Sequence, residues 1–409
     1  MRRVLLAALL AASLPVTGGG AAEEAHHHHH GSAVPPRPDC PAGDTSLRCA
    51  TTATPAFTPD GTLVLAWTAG GRVMVGRSGD LGATPMTGVA VNPDREPIDD
   101  SGESRAAVIA DGAGSVLVAY SRHQDQPYSG TLMVAYSGDG GRHFAHPVLL
   151  ANDPASQRFP ALTGDGRGRV ALAWIDKRSL AAAKRAGRSY AGAALAATVS
   201  TDGGATFRPE RVISEHTCEC CRIAAASDPA GHAVLMWRQL FDGARDPAVT
   251  TLDGRDNPHR VAADNWRVDA CPHHGGAVAV GPGGTLHVAW YTGGTARPGL
   301  FYARSTDRGR HFGEPRPLGD PGRLPSHPQL LAAGGRVWLA WSEFDGETTR
   351  ILAQSSTDGG LSWSPPHAVA ETKDASDRPL LVADGPHPFL SWLTRNEGWR
   401  LLPLAGDQP

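Results

Sequence analysis

Residues 62–67 read Thr-Leu-Val-Leu-Ala-Trp, a short apolar run that ends on an aromatic side chain. Runs of the same kind recur six more times, at intervals of 51 to 63 residues. Each run is too short for a long helix and rich in Val and Leu, which predicts a buried strand. A fixed period near fifty indicates a repeat architecture, and repeats with several short strands are typical of β-propeller blades. The seven aromatic positions are Trp67, Tyr120, Trp174, Trp237, Trp290, Trp341 and Trp392.

The composition agrees with an all-β protein that contains many tight turns. The 409 residues include 49 Gly and 33 Pro, and only 19% of them are charged. The formal net charge of -3 provides no basic field that would attract nucleic acid. We therefore expect no nucleic-acid partner.

The N-terminus has the pattern of a secretory signal peptide. Arg2 and Arg3 precede an apolar stretch, and small residues for cleavage occur near Ala22. We expect residues 1–22 to be a signal peptide and the mature protein to be periplasmic or secreted, without a membrane span. Residues 23–45 are rich in Pro and His and predict a disordered linker, followed by a single propeller domain over 46–409. His26 to His30 are either a native metal-collecting tract or a purification tag.

Four repeats carry clear copies of a second motif, Ser-x-Asp-x-Gly-x-x-aromatic, and the fourth repeat has only Asp253-Gly254. This motif is the Asp-box, and residues 50–405 resemble the superfamily of sialidase-like Asp-box propellers. The carboxylate is expected to cap backbone amides of the turn between the third and fourth strands, and Gly to supply a positive φ. Clear copies begin at Ser137, Ser200, Ser305 and Ser356, and a weak copy begins at Ser78.

The resemblance and the seven repeats together predict an all-β fold, a seven-bladed β-propeller of four-stranded blades. A six-bladed propeller of the sialidase type is the alternative, because the enzymes of that family usually have six blades. The last repeat supplies only three strands, so residues 46–52 are expected to donate the fourth. A disulfide between Cys40 and Cys49 would hold that donor in place. The alanine-rich insertion at 179–188 predicts a short helix.

Basic residues recur at the start of the first strand of successive repeats. The first strand of a propeller blade is innermost, so these residues should form a ring at the mouth of the central channel. Such a ring would bind a small anionic ligand or an acidic glycan, because Arg can donate two parallel hydrogen bonds to one carboxylate. The alternative is that each Arg pairs with a nearby acid such as Glu103, Asp374 or Asp377. The ligand-binding candidates are Arg105, Arg158, Arg222, His327 and Arg378.

The resemblance implies further catalytic groups if the protein is an enzyme. Sialidases hold the substrate carboxylate with three arginines and use a Tyr nucleophile paired with a Glu, together with an Asp acid/base. Asp176, Tyr291 and Glu343 lie at or after the strand-ending aromatics and are the catalytic candidates. Nothing in their spacing establishes the pairing, so enzymatic activity stays open.

Four cysteines and two histidines fall in two short segments of adjacent repeats. The repeat alignment makes these segments spatial neighbours. Thiolates with imidazole suit copper or zinc, two disulfides are the alternative in an exported chain, and a thiol-redox role is the third. The candidate metal ligands are Cys218, Cys220, Cys221, Cys271, His273 and His274.

Two classes of function follow. One is a propeller that binds a ligand or a copper or zinc ion at a channel mouth lined by Cys, His and Arg. The other is a sialidase-like exo-glycosidase that acts on acidic sugars.

Overall fold

A computed structural model describes residues 34–111, 114–151, 153–255 and 257–404. The expected signal peptide and His26 to His30 lie outside these residues. Nearly all regular structure in the described part is β-strand, in antiparallel meanders that follow the order of the chain. Among these residues, no helix is long and apolar enough to cross a membrane.

The first two sheets have four strands each, paired in sequence order. The first contains β1 to β4: Thr52–Phe57, Leu63–Ala69, Arg72–Ser78 and Gly88–Ala90. The second contains β5 to β8: Ala107–Asp111, Ser115–His123, Gly130–Ser137 and Val148–Leu149.

Two further meanders are joined into one eight-stranded sheet through the pair formed by Thr217 and Gln239. The first contains β9 to β12 and the helix α1: Gln157–Gly164, Val170–Asp176, α1 at Arg178–Arg185, Ala193–Ser200 and Arg211–Thr217. The second contains β13 to β16: Ala224–Ser227, Ala233–Phe241, Ala244–Thr251 and His259–Arg260. The helix α1 confirms the helical prediction for the insertion.

The remaining three sheets complete the described chain. Strands β17 to β20 span Ala277–Val280, Leu286–Thr292, Gly299–Ser305 and Arg316–Leu318. Strands β21 to β24 span Ser326–Ala333, Arg336–Phe344, Thr349–Ser356 and His367–Thr372. Strands β25 to β27 span Leu380–Asp384, His387–Thr394 and Gly398–Pro403. Short 3-10 helices occur at Leu47–Cys49, Pro282–Gly284 and Pro321–Arg323.

The first strands of successive meanders lie side by side in a closed series. Each contacts the first strand of the next meander, and the last of them contacts the first again. The series runs β1, β5, β9, β13, β17, β21, β25 and back to β1. The residues at the starts of these strands are therefore brought together around one centre.

The recurring aromatic residue lies in the core of each meander, as predicted. All seven are on the second strand and are no more than 2% exposed. The core is divided into separate clusters between neighbouring sheets rather than gathered into one. This arrangement explains the strict period, because each repeat must supply its own share of the apolar contacts.

The Asp-box turns have the expected geometry. In the turn after β11, Ser200 Oγ donates to Asp202 Oδ1 at 2.6 Å, and the carboxylate also accepts from the backbone of Thr206 at 2.9 Å. Gly204 has a φ of 96°, a conformation that Gly adopts without a steric penalty. The turns that begin at Ser137, Ser305 and Ser356 repeat the pattern.

The last sheet differs from the prediction. It has three strands, and residues 46–52 do not add a fourth, since Leu47–Cys49 is a 3-10 helix that packs against β27. The expected disulfide between Cys40 and Cys49 is present. It closes a tight loop just before β1, which favours a turn over an extended donor strand.

Part of the expected linker is also packed on the propeller. Val34 is only 2% exposed, and its amide donates to the carbonyl of Thr51 at 2.9 Å. Arg37 donates from Nη1 to the carbonyl of Asn396 at 2.9 Å, in the turn between β26 and β27. Residues 34–45 thus cover the junction between the first and last sheets.

A change at Asp202 tests the structural role of these turns. The hydrogen bonds from Ser200 and Thr206 lower the pKa of Asp202 from 3.8 to about 2. Because the folded-state pKa is lowered, the stabilisation is fully present above about pH 4 and is lost as the pH falls towards 2. Asp202→Ala should lower the free energy of unfolding at pH 7 by roughly 1 kcal/mol. Asp202→Asn should also flatten the pH dependence between pH 4 and 2.

Denaturant unfolding at several pH values measures both effects. Glu314→Ala is the matched control, because Glu314 is a surface carboxylate 92% exposed. An Asp202→Ala protein of unchanged stability would contradict a capping role for this turn.

Candidate functional site

A cavity of about 240 Å³ lies where the starts of the first strands meet. Three arginines from three different repeats line it, together with Glu103. Its remaining walls come from the beginnings of β1, β5, β9, β13 and β25. Of the five predicted ligand-binding residues, Arg105, Arg222 and Arg378 line this cavity.

Arg105 is held at the cavity wall by contacts to several elements. It is 4% exposed and donates from Nε to the carbonyl of Gly102 at 3.1 Å and from Nη1 to that of Ala53 at 3.2 Å. Its Nη2 pairs with the carboxylate of Asp377. Burial raises the pKa of Asp377, although the charge of Arg105 opposes the rise.

Arg222 forms the second wall and pairs with Glu103. Its Nη1 lies 2.9 and 3.1 Å from the two carboxylate oxygens of Glu103, and both side chains are buried. The stem of Arg222 passes directly over Gly275, where an added Cβ would lie 2.0 Å from Arg222 Cγ. Gly275 is therefore required for the position of the guanidinium.

Arg378 is the third cationic group. It donates from Nε to the carbonyl of Gly102 at 2.8 Å, the same carbonyl that Arg105 uses. Burial and the charges of Arg105 and Arg222 lower the pKa of Arg378 well below its usual value. Among the described residues, Arg105 pairs with Asp377 and Arg222 pairs with Glu103, whereas Arg378 forms no salt bridge.

The same positive charges also lower the pKa of Glu103, where they favour the charged form. Burial alone would raise its pKa, but the charges of Arg222, His327 and Arg378 outweigh burial and hold the pKa below the usual value. His327 Nε2 lies 3.9 Å from Glu103 Oε1. Glu103 is therefore an anion under the field of several cations, and it is poorly suited to act as a proton donor.

Arg158 lies beside the cavity residues but points to a different partner. Its Nε donates to Asp99 Oδ2 at 2.6 Å, and its guanidinium lies 4.8 Å from the ring centre of Phe159. Phe159 has a φ of 60° at a β-bulge in β9. The bulge lies next to Arg158, whose side chain is directed towards Asp99. Arg158 and the three cavity arginines are therefore separate groups.

A cluster of rings adjoins the Arg222–Glu103 pair. His274 stacks on Tyr291 with ring centres 4.1 Å apart, and its ring centre is 5.7 Å from that of His327. Trp266 packs edge-on against Tyr291 at 5.6 Å. Arg238, 4% exposed, fixes the cluster by donating to the carbonyls of His274 and Tyr291 at 2.9 and 2.8 Å.

Two of the three catalytic candidates contact the core tryptophans. Asp176 is fully buried and accepts from Trp174 Nε1 at 2.9 Å, and Glu343 accepts from Trp341 Nε1 at 2.9 Å. Asp176 also pairs with Arg178 at 2.7 Å. Each carboxylate lies two residues after the tryptophan that it contacts.

Another repeat has the same arrangement with a neutral amide. Gln239 accepts from Trp237 Nε1 at 2.8 Å, again two residues after the tryptophan. The position therefore needs an acceptor for the indole N–H but not an acid. Tyr291, the third candidate, belongs to the ring cluster, and burial raises its pKa.

The six predicted metal ligands separate into two sets. The sulfur atoms of Cys218, Cys220 and Cys221 all lie within 4.8 Å of one another, and all three residues are buried. No histidine belongs to this group in the described part of the chain. His273 instead acts on the pKa of Glu103, and His274 stacks on Tyr291.

The three thiols lie in close contact with one another and with an arginine. Cys218 Sγ lies 2.7 Å from Cys221 Sγ and 3.7 Å from Cys220 Sγ, and Arg245 Nη1 lies 3.3 Å from Cys218 Sγ. Burial opposes ionisation of Cys218, but its hydrogen bonds to Cys220 and Cys221 and the charge of Arg245 lower its pKa well below the usual value. Cys271 is exposed, and its hydrogen bond with Cys220 lowers its pKa to about 7.

Several important residues were not singled out from the sequence. Arg238, Arg245 and Trp266 resemble many other surface or strand residues when the sequence is read alone. The sequence indicates Glu103 only as a partner for an arginine, which is its role with Arg222. Alignment of the repeats does reveal the role of the two acids. Gln239 occupies the position that Asp176 and Glu343 occupy in other repeats, which indicates a structural role for both acids.

Comparison with known proteins gives fold-level likeness only. No protein-family model matches the sequence, and no curated protein matches it. An ulvan lyase, a polysaccharide lyase solved with a -[GlcA(1-4)Rha3S]- ligand, has a TM-score of 0.56 at 9% identity, over 93% of this chain and 95% of that one.

Two bacterial structures are also similar. A protein of unknown function from Dyadobacter fermentans has a TM-score of 0.49 at 16% identity, over 76% of this chain and 96% of that one. The intramolecular trans-sialidase of Ruminococcus gnavus has a TM-score of 0.48 at 14% identity, over 74% of this chain and 94% of that one. At these identities the likeness shows the fold alone, and the chain has a β-propeller fold.

Proposed function

We propose that the protein is an exported seven-bladed β-propeller that binds a small carboxylate-bearing ligand, such as the terminal unit of an acidic glycan, in its central cavity. The observation that carries this proposal is the group of Arg105, Arg222 and Arg378 around one cavity, where the described residues form salt bridges to Arg105 and Arg222 and none to Arg378. The closed series of seven first strands favours seven blades over six.

The charge balance explains why an anion would bind. Arg378 loses solvation and lies in the field of two other guanidiniums, which lowers its pKa well below the usual value. A ligand carboxylate placed among these groups would supply the missing negative charge and accept charge-assisted hydrogen bonds. The volume of about 240 Å³ lies below the range of roughly 300–1,000 Å³ of drug-sized pockets, which favours a single charged unit.

The proposed role is binding without hydrolysis. Asp176 and Glu343 already accept from indole N–H groups, and a neutral Gln239 does the same in another repeat. Neither acid lines the cavity among the residues described. The exo-glycosidase alternative would need an acid/base from elsewhere, because the lowered pKa of Glu103 favours its anionic form.

A second candidate function is the binding of a copper or zinc ion. It is favoured by one specific observation, the convergence of three buried thiols within 4.8 Å of one another. This group is distinct from the residues that line the cavity, so the two functions do not exclude each other.

Changes in the cavity charges should alter ligand affinity in opposite directions. Arg222→Ala should weaken binding of sialyllactose or of a glucuronate-terminated oligosaccharide by at least about tenfold, since a charge-assisted hydrogen bond is lost. Glu103→Gln should strengthen binding, because it removes a competing carboxylate and keeps a hydrogen-bond acceptor for Arg222. Isothermal titration calorimetry of the folded variants measures both changes.

The controls separate the cavity from general surface charge. Arg350→Ala removes a surface arginine that pairs with Asp345 and Glu371, and it should leave affinity unchanged. Carboxyl-reduced versions of the same glycans should not bind. Equal affinity for the neutral and acidic glycans, or weaker binding by Glu103→Gln, would overturn the proposed charge recognition.

A direct activity assay addresses the glycosidase alternative. The engagement of Asp176 and Glu343 with core tryptophans predicts little or no release of fluorophore from a fluorogenic sialoside. Rapid turnover that Arg222→Ala abolishes would show instead that the channel is an active site. Glu343→Gln provides a matched test, because a structural acceptor tolerates the amide whereas an acid/base does not.

A further inference from the structure

We propose, building on the second candidate function, that Cys218, Cys220 and Cys221 bind one Cu(I) ion as three thiolates, and that Cys271 is the exposed thiol through which the ion is exchanged. His273 and His274, which the sequence grouped with these cysteines, are assigned to the channel and not to the ion.

The geometry of the thiols suits a single small ion. The three residues lie on the short connection between β12 and β13 and are 1%, 4% and 1% exposed. Metal–sulfur bonds near 2.3 Å place three sulfurs around one ion about 4 Å apart. Cys218 Sγ and Cys220 Sγ are already 3.7 Å apart, and Cys221 Sγ needs to move away from Cys218 Sγ by about 1 Å.

The ligand types favour Cu(I) over zinc. The group contains three sulfurs and neither imidazole nor carboxylate, which is a soft ligand set of the kind that binds Cu(I) or zinc. Structural zinc sites are almost always tetrahedral and require a fourth ligand. Cys271 is the only further thiol nearby, but it is exposed and lies outside the group of three.

Nearby positive charge matches the charge of the proposed centre. Three thiolates and one Cu(I) carry a net charge of -2, and Arg245 lies 3.3 Å from Cys218 Sγ while the charge of Arg238 acts on Cys221. In the described part of the chain, Arg238 and Arg245 form no salt bridge with a carboxylate and donate instead to backbone carbonyls. Both arginines therefore supply positive charge beside the thiols, which would stabilise an anionic centre there.

Cys271 offers a route from solvent to the buried thiols. It lies on the segment before β17, on the neighbouring meander, and forms a hydrogen bond with Cys220. Ligand exchange would form a bond from the incoming Cu(I) to Cys271 and then replace it with bonds to the three buried sulfurs, with each thiol proton released to solvent. Glu219 lies between Cys218 and Cys220 in sequence. Its salt bridge of 2.7 Å with Lys177 holds this segment against the start of α1.

Competition with a chromophoric Cu(I) chelator tests the proposal on the full chain. Every protein carries Ser in place of His26 to His30, and the cysteines are reduced under anaerobic conditions. We expect one Cu(I) per chain and the loss of three titratable thiols on loading. Cys218→Ser and Cys221→Ser should each weaken Cu(I) binding by more than about 100-fold. Each change removes a metal ligand, and loss of a residue that only orients a ligand already costs about 10- to 100-fold.

Cys271→Ser is the matched thiol control. It should leave the equilibrium affinity for Cu(I) unchanged and slow the transfer of Cu(I) from the chelator. His273→Ala and His274→Ala should not change the affinity. The titration of the unsubstituted chain does not depend on the folding of any variant.

The alternatives give different results. Stoichiometric zinc that is lost in Cys271→Ser would overturn the Cu(I) assignment and keep the second candidate function. No binding of copper or zinc, with mass mapping that finds Cys218 and Cys221 in a disulfide, would overturn both. Either result leaves the glycan-binding measurements independent, because those report on the cavity arginines.

Discussion

The fold depends on one repeated interaction, the burial of an aromatic side chain on the second strand of each meander. Six of the seven aromatics are tryptophans, and a buried indole N–H usually has a hydrogen-bond acceptor. The protein supplies that acceptor from a side chain two residues further on, as at Asp176, Gln239 and Glu343, or from another segment, as at the carbonyl of Thr45 for Trp67. The core therefore determines the role of several polar residues near the channel, and it engages Asp176 and Glu343 as acceptors for indole N–H groups.

The same period that builds the core also brings distant residues together. Arg222 and Glu103 are 119 residues apart in sequence, and Arg105 and Asp377 are 272 apart, yet each pair meets at the centre. A ring of first strands makes this possible, because every repeat presents the start of its first strand to one axis. The surrounding strands fix the positions of the charges and exclude most of the solvent, so the electrostatic coupling among these groups is strong.

Sequence periodicity was sufficient for the strands and turns, since these depend on contacts within one repeat. Trp174 and the turn at Ser200 were predicted correctly because their partners are local. Glu103 and Asp377 were named as possible acid partners and do pair with Arg222 and Arg105. The partner of Arg158 was not predicted, because Arg158 pairs with Asp99 beside a β-bulge that no pattern reveals. The thiols and histidines were grouped together because they are close in the repeat alignment, but alignment fixes the position of the backbone and not the direction of the side chains. Residues 46–52 were expected to form a strand, but a disulfide-closed loop favours the 3-10 helix observed.

The three-stranded last sheet has a consequence for cooperativity. In the other meanders the third strand pairs with a fourth through backbone hydrogen bonds, whereas the outer edge of β27 is covered by side chains of the 3-10 helix at Leu47–Cys49 and its neighbours. Side-chain packing leaves the free edge of β27 without a ladder partner, so opening there breaks fewer backbone bonds than opening at any other sheet. Local opening of the ring should begin at the seam between β27 and the segment that covers it. The amides of β27 should therefore exchange with solvent before those of the third strands of the other meanders. The Cys40–Cys49 disulfide lies beside the seam and limits how far the covering segment can separate from it.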